Sequence, residues 1–183
     1  MNSFIKLPFS VDVSSLKLQL DENASLWDEN PMRRTYDGSP HREMVDIWAR
    51  YGVDVKDPSL PHVSEWYEGA ASLTDVVTIS DHIMGALGGE SLGGVLITKL
   101  PPGGRILPHA DSGWHAETYE KIHVSISSPE GSYFGFEDGE MHSKPGDVYW
   151  FRNDRLHWVE NPTDNERIVM IVCIKTNIFE SLK

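Results

Sequence analysis

Five short segments with the composition of β-strands follow one another in the second half of this chain of 183 residues. They are rich in β-branched and aromatic residues, and turn motifs such as PPGG, SPEG, EDGE, KPGD and ENPTDN separate them. Many short strands at this spacing are typical of a β-sandwich or a β-barrel. The predicted strands cover residues 92–100, 119–127, 132–137, 147–152 and 166–175.

The first 90 residues or so have a mixed, partly helical pattern. The segment SPHREMVDIWARYG has Ser39 as a possible cap, Pro40 at the first helical position and four apolar residues before Gly52, so it predicts a helix. The segment TISDHIMGALGG predicts a second helix, which its glycines end. We expect one domain over residues 1–183, with a mixed helical flanking region over 1–90 and a β-rich core over 91–177.

Composition limits the classes of protein to which the chain can belong. Its formal net charge of -12 disfavours a nucleic-acid partner, because such a surface repels phosphates. The start of the sequence is too polar for a signal peptide, and no apolar run is long enough to cross a bilayer. The single cysteine, Cys173, indicates a reducing compartment. The sequence therefore predicts a cytoplasmic protein with no membrane or nucleic-acid partner, and leaves its oligomeric state open.

The segment PHADSGWHAETYEKIH contains two pairs of metal-ligating residue types, His109 with Asp111 and His115 with Glu117. Residues two apart in an extended chain face the same side, so either pair could bind one ion. Two histidines and one carboxylate on one face hold non-haem Fe(II) and leave positions open for substrates. Each pair is thus a candidate for two of three such ligands.

The position of the two pairs along the chain favours the first pair. His109 follows a predicted strand and the PPGGRILP turn, which would carry it to the mouth of a barrel. His115 lies beyond Gly113 in a predicted loop, where a role in gating or substrate contact is favoured. The third ligand must come from a distant strand end, and both His142 and His157 are candidates.

Arg167 is a candidate for binding an anionic ligand. It begins the apolar segment ERIVMIVCIK ten residues after His157, and a guanidinium on such a face requires a partner. Arginine offers a carboxylate two parallel hydrogen bonds. Arg152 stands at the same spacing from His142, but it runs directly into a predicted turn. The alternative, that Arg167 lies in solvent at the start of its strand, stays open at this point.

The predicted strand YEKIHVSIS alternates between an apolar and a polar face. Its polar face carries Lys121 and His123, followed by Ser125 and Ser127. A polar face of this kind most often meets water. Because the strand directly follows the candidate metal ligands, it could instead line a polar interior that holds a small anion.

These segments resemble the aspartyl/asparaginyl β-hydroxylase family of 2-oxoglutarate- and Fe(II)-dependent oxygenases, which also includes bacterial proline hydroxylases. ITKLPPGGRILPHAD resembles the family's strand, turn and metal histidine, and KIHVSI resembles its strand with a cation and a histidine. KPGDVYWFRNDRLHWVENPTDNERIVMIV resembles its closing block, with a metal histidine and then an arginine ten residues later. The resemblance covers roughly residues 92–177.

The resemblance implies a mostly β fold, a double-stranded β-helix or jelly roll, with flanking helices from the N-terminal half. It implies Fe(II) bound by His109, Asp111 and His157 as the catalytic centre. It implies 2-oxoglutarate bound at Arg167 and at three further residues, His123, Lys121 and Thr98. Lys121 stands where the family's animal hydroxylases have arginine, and Thr98 where they have serine. Some of those enzymes lack a carboxylate at the position of Asp111.

The activity implied by the resemblance is hydroxylation of a carbon in an amino acid or a peptide residue. The reaction uses O₂ and 2-oxoglutarate and gives succinate and CO₂ as co-products. Two other functions stay open on the residues alone. A cupin-type metal protein that does not use 2-oxoglutarate would also suit the spacing of His157 and Asn161, with His115 or Glu117 as an extra ligand. A jelly-roll binding module without metal is the other.

Overall fold

The computed structural model of the protein describes residues 2–53, 55, 57 and 60–183. Two antiparallel sheets face each other. Their strands, numbered in chain order, form a major sheet in the order β1 (Phe4–Ser10), β9 (Asp147–Phe151), β6 (Glu120–Ser127), β11 (Arg167–Lys175), β4 (Ser91–Leu100), β2 (Val45–Gly52) and β3 (Ser64–Trp66). The minor sheet has the order β5 (Arg105–His109), β10 (His157–Glu160), β7 (Tyr133–Phe136) and β8 (Gly139–Met141). This arrangement is a double-stranded β-helix, as expected.

Helices pack around the two sheets. They are α1 (Ser14–Glu22), α2 (Met32–Thr35), α3 (Thr74–Ala86) and α4 (Trp114–Thr118), with short 3₁₀ turns at Ala24–Leu26, Glu68–Ser72 and Glu180–Leu182. Alternate residues of β6 and β11, such as Ile122 and Met170, join Leu16 of α1 and Ile83 of α3 in one buried cluster. The strands β6 and β11 are therefore buried on both faces, one against the helices and one against the minor sheet.

A second apolar cluster lies between the two sheets. It includes Leu100 of β4, Phe134 and Phe136 of β7, and Phe151 of β9. Phe134 and Phe136 stack at a ring-centroid distance of 4.8 Å. Such aromatic pairs strengthen the packing between the two sheets.

The structure confirms the five predicted strands and the helix predicted from TISDHIMGALGG. Ile79 and Ile83 of α3 are buried, and Gly88, with φ of 57°, ends the helix in the left-handed conformation. The backbone N–H of Gly89 then donates to the carbonyl of Met84 at 2.9 Å. Several further strands, among them β1 and β5, were not predicted.

The helix predicted from SPHREMVDIWARYG is wrong, because most of this segment is β2. Ser39 does accept a hydrogen bond from the backbone N–H of His41 at 3.0 Å, but the chain then turns and becomes extended. Ile47 faces the helix-covered core and Trp48 faces the interior between the sheets. Burial on both faces puts apolar residues at consecutive positions, which imitates a helical pattern, and pairing with β4 decides the outcome.

Within the described part of the chain, none of the helices combines the length and the apolar character that crossing a bilayer would require.

Candidate functional site

A cavity of about 510 Å³ lies between the two sheets, and residues of the second apolar cluster, among them Phe134 and Phe151, form part of its wall. The major sheet contributes Thr98, Lys121, His123 and Arg167 to its wall, and the minor sheet contributes His109 and His157. The N-terminal segment that runs from Met32 to His41 covers part of its opening. A cavity of this size suits a small molecule together with one residue of a larger substrate.

His109 ends β5 and His157 begins β10, and the two are paired across these strands. The register of the pair shifts between His157 and Val159, so β5 carries one extra residue beside His109. Bulges of this kind redirect side chains near functional sites. The two imidazole rings lie 4.3 Å apart between centroids, with an angle of 57° between their planes.

In both His109 and His157, Nδ1 lies beside a backbone carbonyl, which determines the tautomer of the neutral ring. Nδ1 of His109 lies 2.8 Å from the carbonyl of Leu107, and Nδ1 of His157 lies 2.8 Å from the carbonyl of Arg155. A carbonyl only accepts, so each Nδ1 carries the proton and each Nε2 keeps a free lone pair. Burial is the main cause that lowers the pKa of His157, and it favours the neutral ring that a metal ion requires.

Asp111 completes a group of three possible metal ligands. The ligating atoms of His109, Asp111 and His157 all lie within 4.8 Å of one another. The backbone N–H of Asp111 donates to the carbonyl of Asn153 at 2.8 Å, and the Asn153 amide donates to the carbonyl of Ala116 at 2.9 Å. The turn before β10 thus holds the Asp111 loop in position. Two imidazoles and a carboxylate converging in this way could hold a divalent metal ion.

Arg167 lies inside the protein, and its charge has no acidic partner among the described residues. Its side chain is 3% exposed, and its Nη2 donates to Nε2 of His123 at 3.1 Å. Arginine only donates, so His123 is neutral and accepts through Nε2. Burial lowers the pKa of Arg167 to about 10, and burial together with the neighbouring guanidinium holds the pKa of His123 well below its usual value. Arg167 Nε is also buried, and no described residue forms a hydrogen bond with it.

Thr98 and Lys121, the two other residues expected at a 2-oxoglutarate site, line the same cavity but have different neighbours. The Thr98 hydroxyl donates to Oδ1 of Asp46 at 2.7 Å. Lys121 Nζ lies 3.2 Å from Sγ of Cys173 on β11. Burial lowers the pKa of Lys121, but nearby groups, Cys173 and Asp111 foremost, outweigh it and raise the pKa overall. In the structure, His123 is therefore in contact with Arg167, whereas Lys121 is in contact with Cys173.

The remaining candidates from the sequence are not part of the converging group of ligands. His142 is 59% exposed and pairs with Glu140, whereas Arg152 pairs with Asp154. Glu117 is exposed on α4. His115 is buried on the same helix rather than in a loop, and its Nε2 accepts the N–H of Gly94 at 3.0 Å. Burial lowers the pKa of His115 to about 3, and the Lys121 ammonium contributes.

Gly94 of β4 makes room for the ring of His115, which lies directly against this strand. This close approach lets α4 contribute His115 to the cavity wall. A Cβ at Gly94 would lie 2.9 Å from Tyr51 Cδ2 and 3.3 Å from His115 Nε2. Any larger residue there would push these rings away. The glycine pair in LGGVLITKL therefore allows His115 and Tyr51 to form the wall beside Lys121.

The N-terminal segment contributes a buried network that sequence reasoning missed. Arg33 binds both oxygens of Asp46, at 3.2 and 3.0 Å, and its Nη2 lies 3.4 Å from Nε2 of His41. The His41 ring packs edge-on against His109 at 4.6 Å. Together with Thr98, this network joins β4, β2 and the N-terminal segment to a candidate metal ligand. These residues are far apart in sequence, and no local pattern marks them.

Comparison with known proteins agrees with this architecture. The family model described as aspartyl/asparaginyl beta-hydroxylase matches residues 17–176. No curated protein has a significantly similar sequence. Among solved structures, an oxidoreductase of the 2OG-Fe(II) oxygenase family from Burkholderia pseudomallei is similar, with a TM-score of 0.63 at 12% identity. That match covers 94% of this chain and 85% of the other.

Two prolyl hydroxylases are also similar in structure, each at 12% identity. One is the viral collagen prolyl hydroxylase of Paramecium Bursaria Chlorella virus-1 in its 2OG complex, with a TM-score of 0.55 and 96% of each chain covered. The other is from Trichoplax adhaerens, in complex with a hypoxia inducible factor peptide fragment, with a TM-score of 0.59 and 100% and 88% covered. At this identity these likenesses show the fold. Because the family model spans most of the sequence, the chain belongs to the aspartyl/asparaginyl β-hydroxylase family and is a dioxygenase of the hydroxylase type.

Proposed function

We propose that the protein is a 2-oxoglutarate- and Fe(II)-dependent oxygenase that hydroxylates a carbon of an amino acid or of a residue in a peptide, with succinate and CO₂ as co-products. One observation carries the proposal: Arg167 is buried in the same cavity as His109, Asp111 and His157, and none of the described residues is its acidic partner. A buried guanidinium of this kind is costly unless an anion joins it. A dicarboxylate that reaches from the metal ligands to Arg167 would supply that anion.

The three converging side chains fit Fe(II). His109 and His157 would bind through Nε2, since each Nδ1 is already hydrogen-bonded to a carbonyl, and Asp111 would bind through its carboxylate. Both carbonyls orient the rings and increase the electron density at Nε2. A site with three protein ligands leaves positions for 2-oxoglutarate and O₂, and the bound metal supplies the activation of O₂.

The residues of the major sheet would bind and orient 2-oxoglutarate. Arg167 would form charge-assisted hydrogen bonds with the carboxylate farther from the metal, and His123 keeps the guanidinium in place through its neutral Nε2. The Thr98 hydroxyl already donates to Asp46, so it could only accept a hydrogen bond from a further partner. Lys121 would add positive charge to the same cavity.

The apolar side chains of the cavity keep water away from the reacting groups. The cavity that contains Arg167 and the triad is also lined by Ile171 and Val169 of β11, Leu96 of β4 and Phe134 of β7. Electrostatic interactions are stronger in such surroundings than in water. The chain's role is therefore to position both substrates and to exclude solvent while the cofactor performs the oxidation.

The positions of His115 and Glu117 favour this function over the cupin-type alternative. In that alternative one of them would be an extra metal ligand. His115 instead uses Nε2 to accept the Gly94 N–H, and Glu117 faces solvent. Asn161 is fully buried and does not belong to the converging group of metal ligands. Its amide donates hydrogen bonds to the carbonyls of Pro101 and Asn165. A cupin or a metal-free module also offers no reason for a buried Arg167 that lacks an acidic partner among the described residues.

A peptide residue or a free amino acid is the substrate class that best suits the opening. The N-terminal segment places Met32 and Tyr36 at the cavity's edge, and each is 51% exposed. Exposed apolar and aromatic groups beside a cavity favour contact with a ligand that extends outside it. The similar Trichoplax adhaerens prolyl hydroxylase has been solved with a peptide fragment. The net charge of -12 disfavours a nucleic-acid substrate.

The test is turnover with substrate pools. Iron-loaded protein is incubated with 2-oxoglutarate, ascorbate and pooled amino acids or peptides, and products are sought by mass spectrometry. We expect an amino acid or peptide that gains one oxygen atom, with an equal amount of succinate. His157→Ala serves as the inactive control. Product on nucleic acid or lipid alone would refute the substrate class, and succinate formation without 2-oxoglutarate dependence would refute the reaction.

A further inference from the structure

Lys121 and Cys173 are opposite each other on β6 and β11, and their side chains meet inside the cavity. Lys121 Nζ is 3.2 Å from Cys173 Sγ, and the residues are 8% and 1% exposed. The proposed reaction assigns no role to Cys173. We propose that this pair is a site of oxidative modification, at which one oxygen atom joins the lysine nitrogen to the cysteine sulfur in a covalent N–O–S bridge.

The surroundings of Cys173 exclude the usual product of thiol oxidation. It is the only cysteine in the chain, so no disulfide can form within the protein. Its burial in a central strand also prevents contact with a cysteine thiol of another protein, whereas a small reductant can reach it through the cavity. An oxidised cysteine sulfur condenses with a neighbouring thiol or nitrogen when one is within reach. The Lys121 amine is the nitrogen in contact with this sulfur, and the gap between them leaves space for one bridging oxygen atom.

The oxidant is dioxygen, which a dioxygenase admits to this cavity. After Lys121 gives up its ammonium proton, the amine, the thiol and one O₂ molecule form the bridge and one molecule of water. One N–H bond and the S–H bond break, and an N–O and an O–S bond form. Nitrogen and sulfur together lose four electrons, which reduce both oxygen atoms. Two equivalents of a dithiol reverse the change and release the bridging oxygen as water.

The bridge would remove the positive charge of Lys121 from the cavity. If the proposed function is right, the oxidised protein binds 2-oxoglutarate more weakly than the reduced protein, and a reductant restores binding. This consequence rests on the proposed function, but formation of the bridge does not. The chemical test is therefore made on the covalent structure, independently of activity.

The test is peptide mapping of the full-length protein after incubation in dioxygen-saturated buffer, compared with anaerobic buffer containing dithiothreitol. The expected product is a cross-linked peptide pair that contains Lys121 and Cys173. Its mass exceeds the sum of the two peptides by one oxygen atom less two hydrogen atoms. The pair should be absent from the anaerobic sample and should disappear when the oxidised sample is reduced.

Two variants serve as controls. Cys173→Ser removes the sulfur and should give no cross-link, and Lys121→Arg keeps the charge but should leave Cys173 as thiol or sulfinic acid. In the wild-type protein, an oxidised Cys173 beside an unmodified Lys121 would overturn the proposal. A cross-link that lacks the additional oxygen would overturn it as well. Since the decisive measurement uses the wild-type protein, a variant that fails to fold does not affect it.

Discussion

Arg167 and His123 are hydrogen-bonded in the interior of the barrel, with 3.1 Å between Nη2 and Nε2, so the buried guanidinium is paired with a neutral ring instead of a carboxylate. The pair holds the guanidinium in place without neutralising its charge. The protein thus keeps a cation ready for an anionic ligand, and the free energy of burying that cation is recovered only when the anion binds.

Replacing Arg167 with Gln should weaken 2-oxoglutarate binding by at least about 100-fold, since losing one partner of a buried charge pair costs roughly 3 kcal/mol or more. Calorimetry on metal-loaded protein measures the change. Arg152→Gln is the matched control, because Arg152 is also buried but pairs with Asp154 outside the cavity. Equal losses in the two variants would contradict a specific role for Arg167.

Replacing Arg167 with Met should stabilise the ligand-free protein while it abolishes 2-oxoglutarate binding. The buried charge has no acidic partner among the described residues, and an apolar side chain of similar length removes the cost of burying it. We expect the free energy of unfolding in urea to rise by about 1–3 kcal/mol. A destabilised Met variant would show that Arg167 is already compensated in the absence of ligand.

Removal of His157 should abolish binding of the metal, whereas removal of His142 should not. His157→Ala takes one of three converging ligands away, and His142 is exposed beside Glu140. The measurement is the iron content after anaerobic loading and desalting. If His142→Ala loses iron and His157→Ala retains it, the assignment of the metal ligands is wrong.

Arg33→Ala should destabilise the protein far more than Arg34→Ala, although the two residues are adjacent. Loss of Arg33 leaves Asp46, which is 3% exposed, without its cationic partner, at a cost of about 3 kcal/mol. Arg34 pairs with Asp28 near the surface, where such a pair contributes less than about 1 kcal/mol. Urea denaturation compares the variants, and similar losses would contradict a buried role for the Arg33–Asp46 pair.

Acid should destabilise the protein partly through His115, whose pKa falls to about 3 because the ring is buried near Lys121. Above the pKa of the unfolded chain, about 6.5, both states are neutral and the ring costs nothing. As the pH falls from 6.5 towards 3, only the unfolded state gains a proton, so stability is lost. At pH 5 this loss is roughly 2 kcal/mol relative to pH 7.5.

The variant His115→Gln tests this pH dependence, because glutamine can accept the Gly94 N–H and does not titrate. Urea denaturation from pH 7.5 to pH 5 should show a smaller loss of stability in the variant than in the wild type. Identical pH dependence in both proteins would mean that His115 is protonated in the folded state.

The strands and the pair of His109 and Asp111 could be predicted because their signals are local, whereas only the family resemblance favoured His157 over His142. Alternation within β6, the run of β-branched residues in β11 and the spacing of His109 and Asp111 are all typical of extended backbone. The strand β2 could not be predicted, since both of its faces are buried and its apolar residues do not alternate. Pairing with β4, which no local pattern shows, determined its conformation.

The network of Arg33, His41, Asp46 and Thr98 could not be predicted for a related reason. Its members are brought together by the tertiary fold, over as many as 52 positions between Asp46 and Thr98. Similarly, alternation along β6 predicted that Lys121 and His123 share one polar face. It did not show that Lys121 contacts Cys173 while His123 contacts Arg167. The register of β6 against β11 puts Lys121 opposite Cys173 and His123 opposite Ile171.

The most direct test of the central claim is an anaerobic calorimetric titration of 2-oxoglutarate into the Fe(II)-loaded protein. It requires neither the unidentified substrate nor turnover. We predict one molecule bound per chain, binding that is lost in His157→Ala, and much weaker binding of glutarate, which has both carboxylates but no keto oxygen to reach the metal. Absence of 2-oxoglutarate binding, or equal affinity for glutarate, would contradict the account.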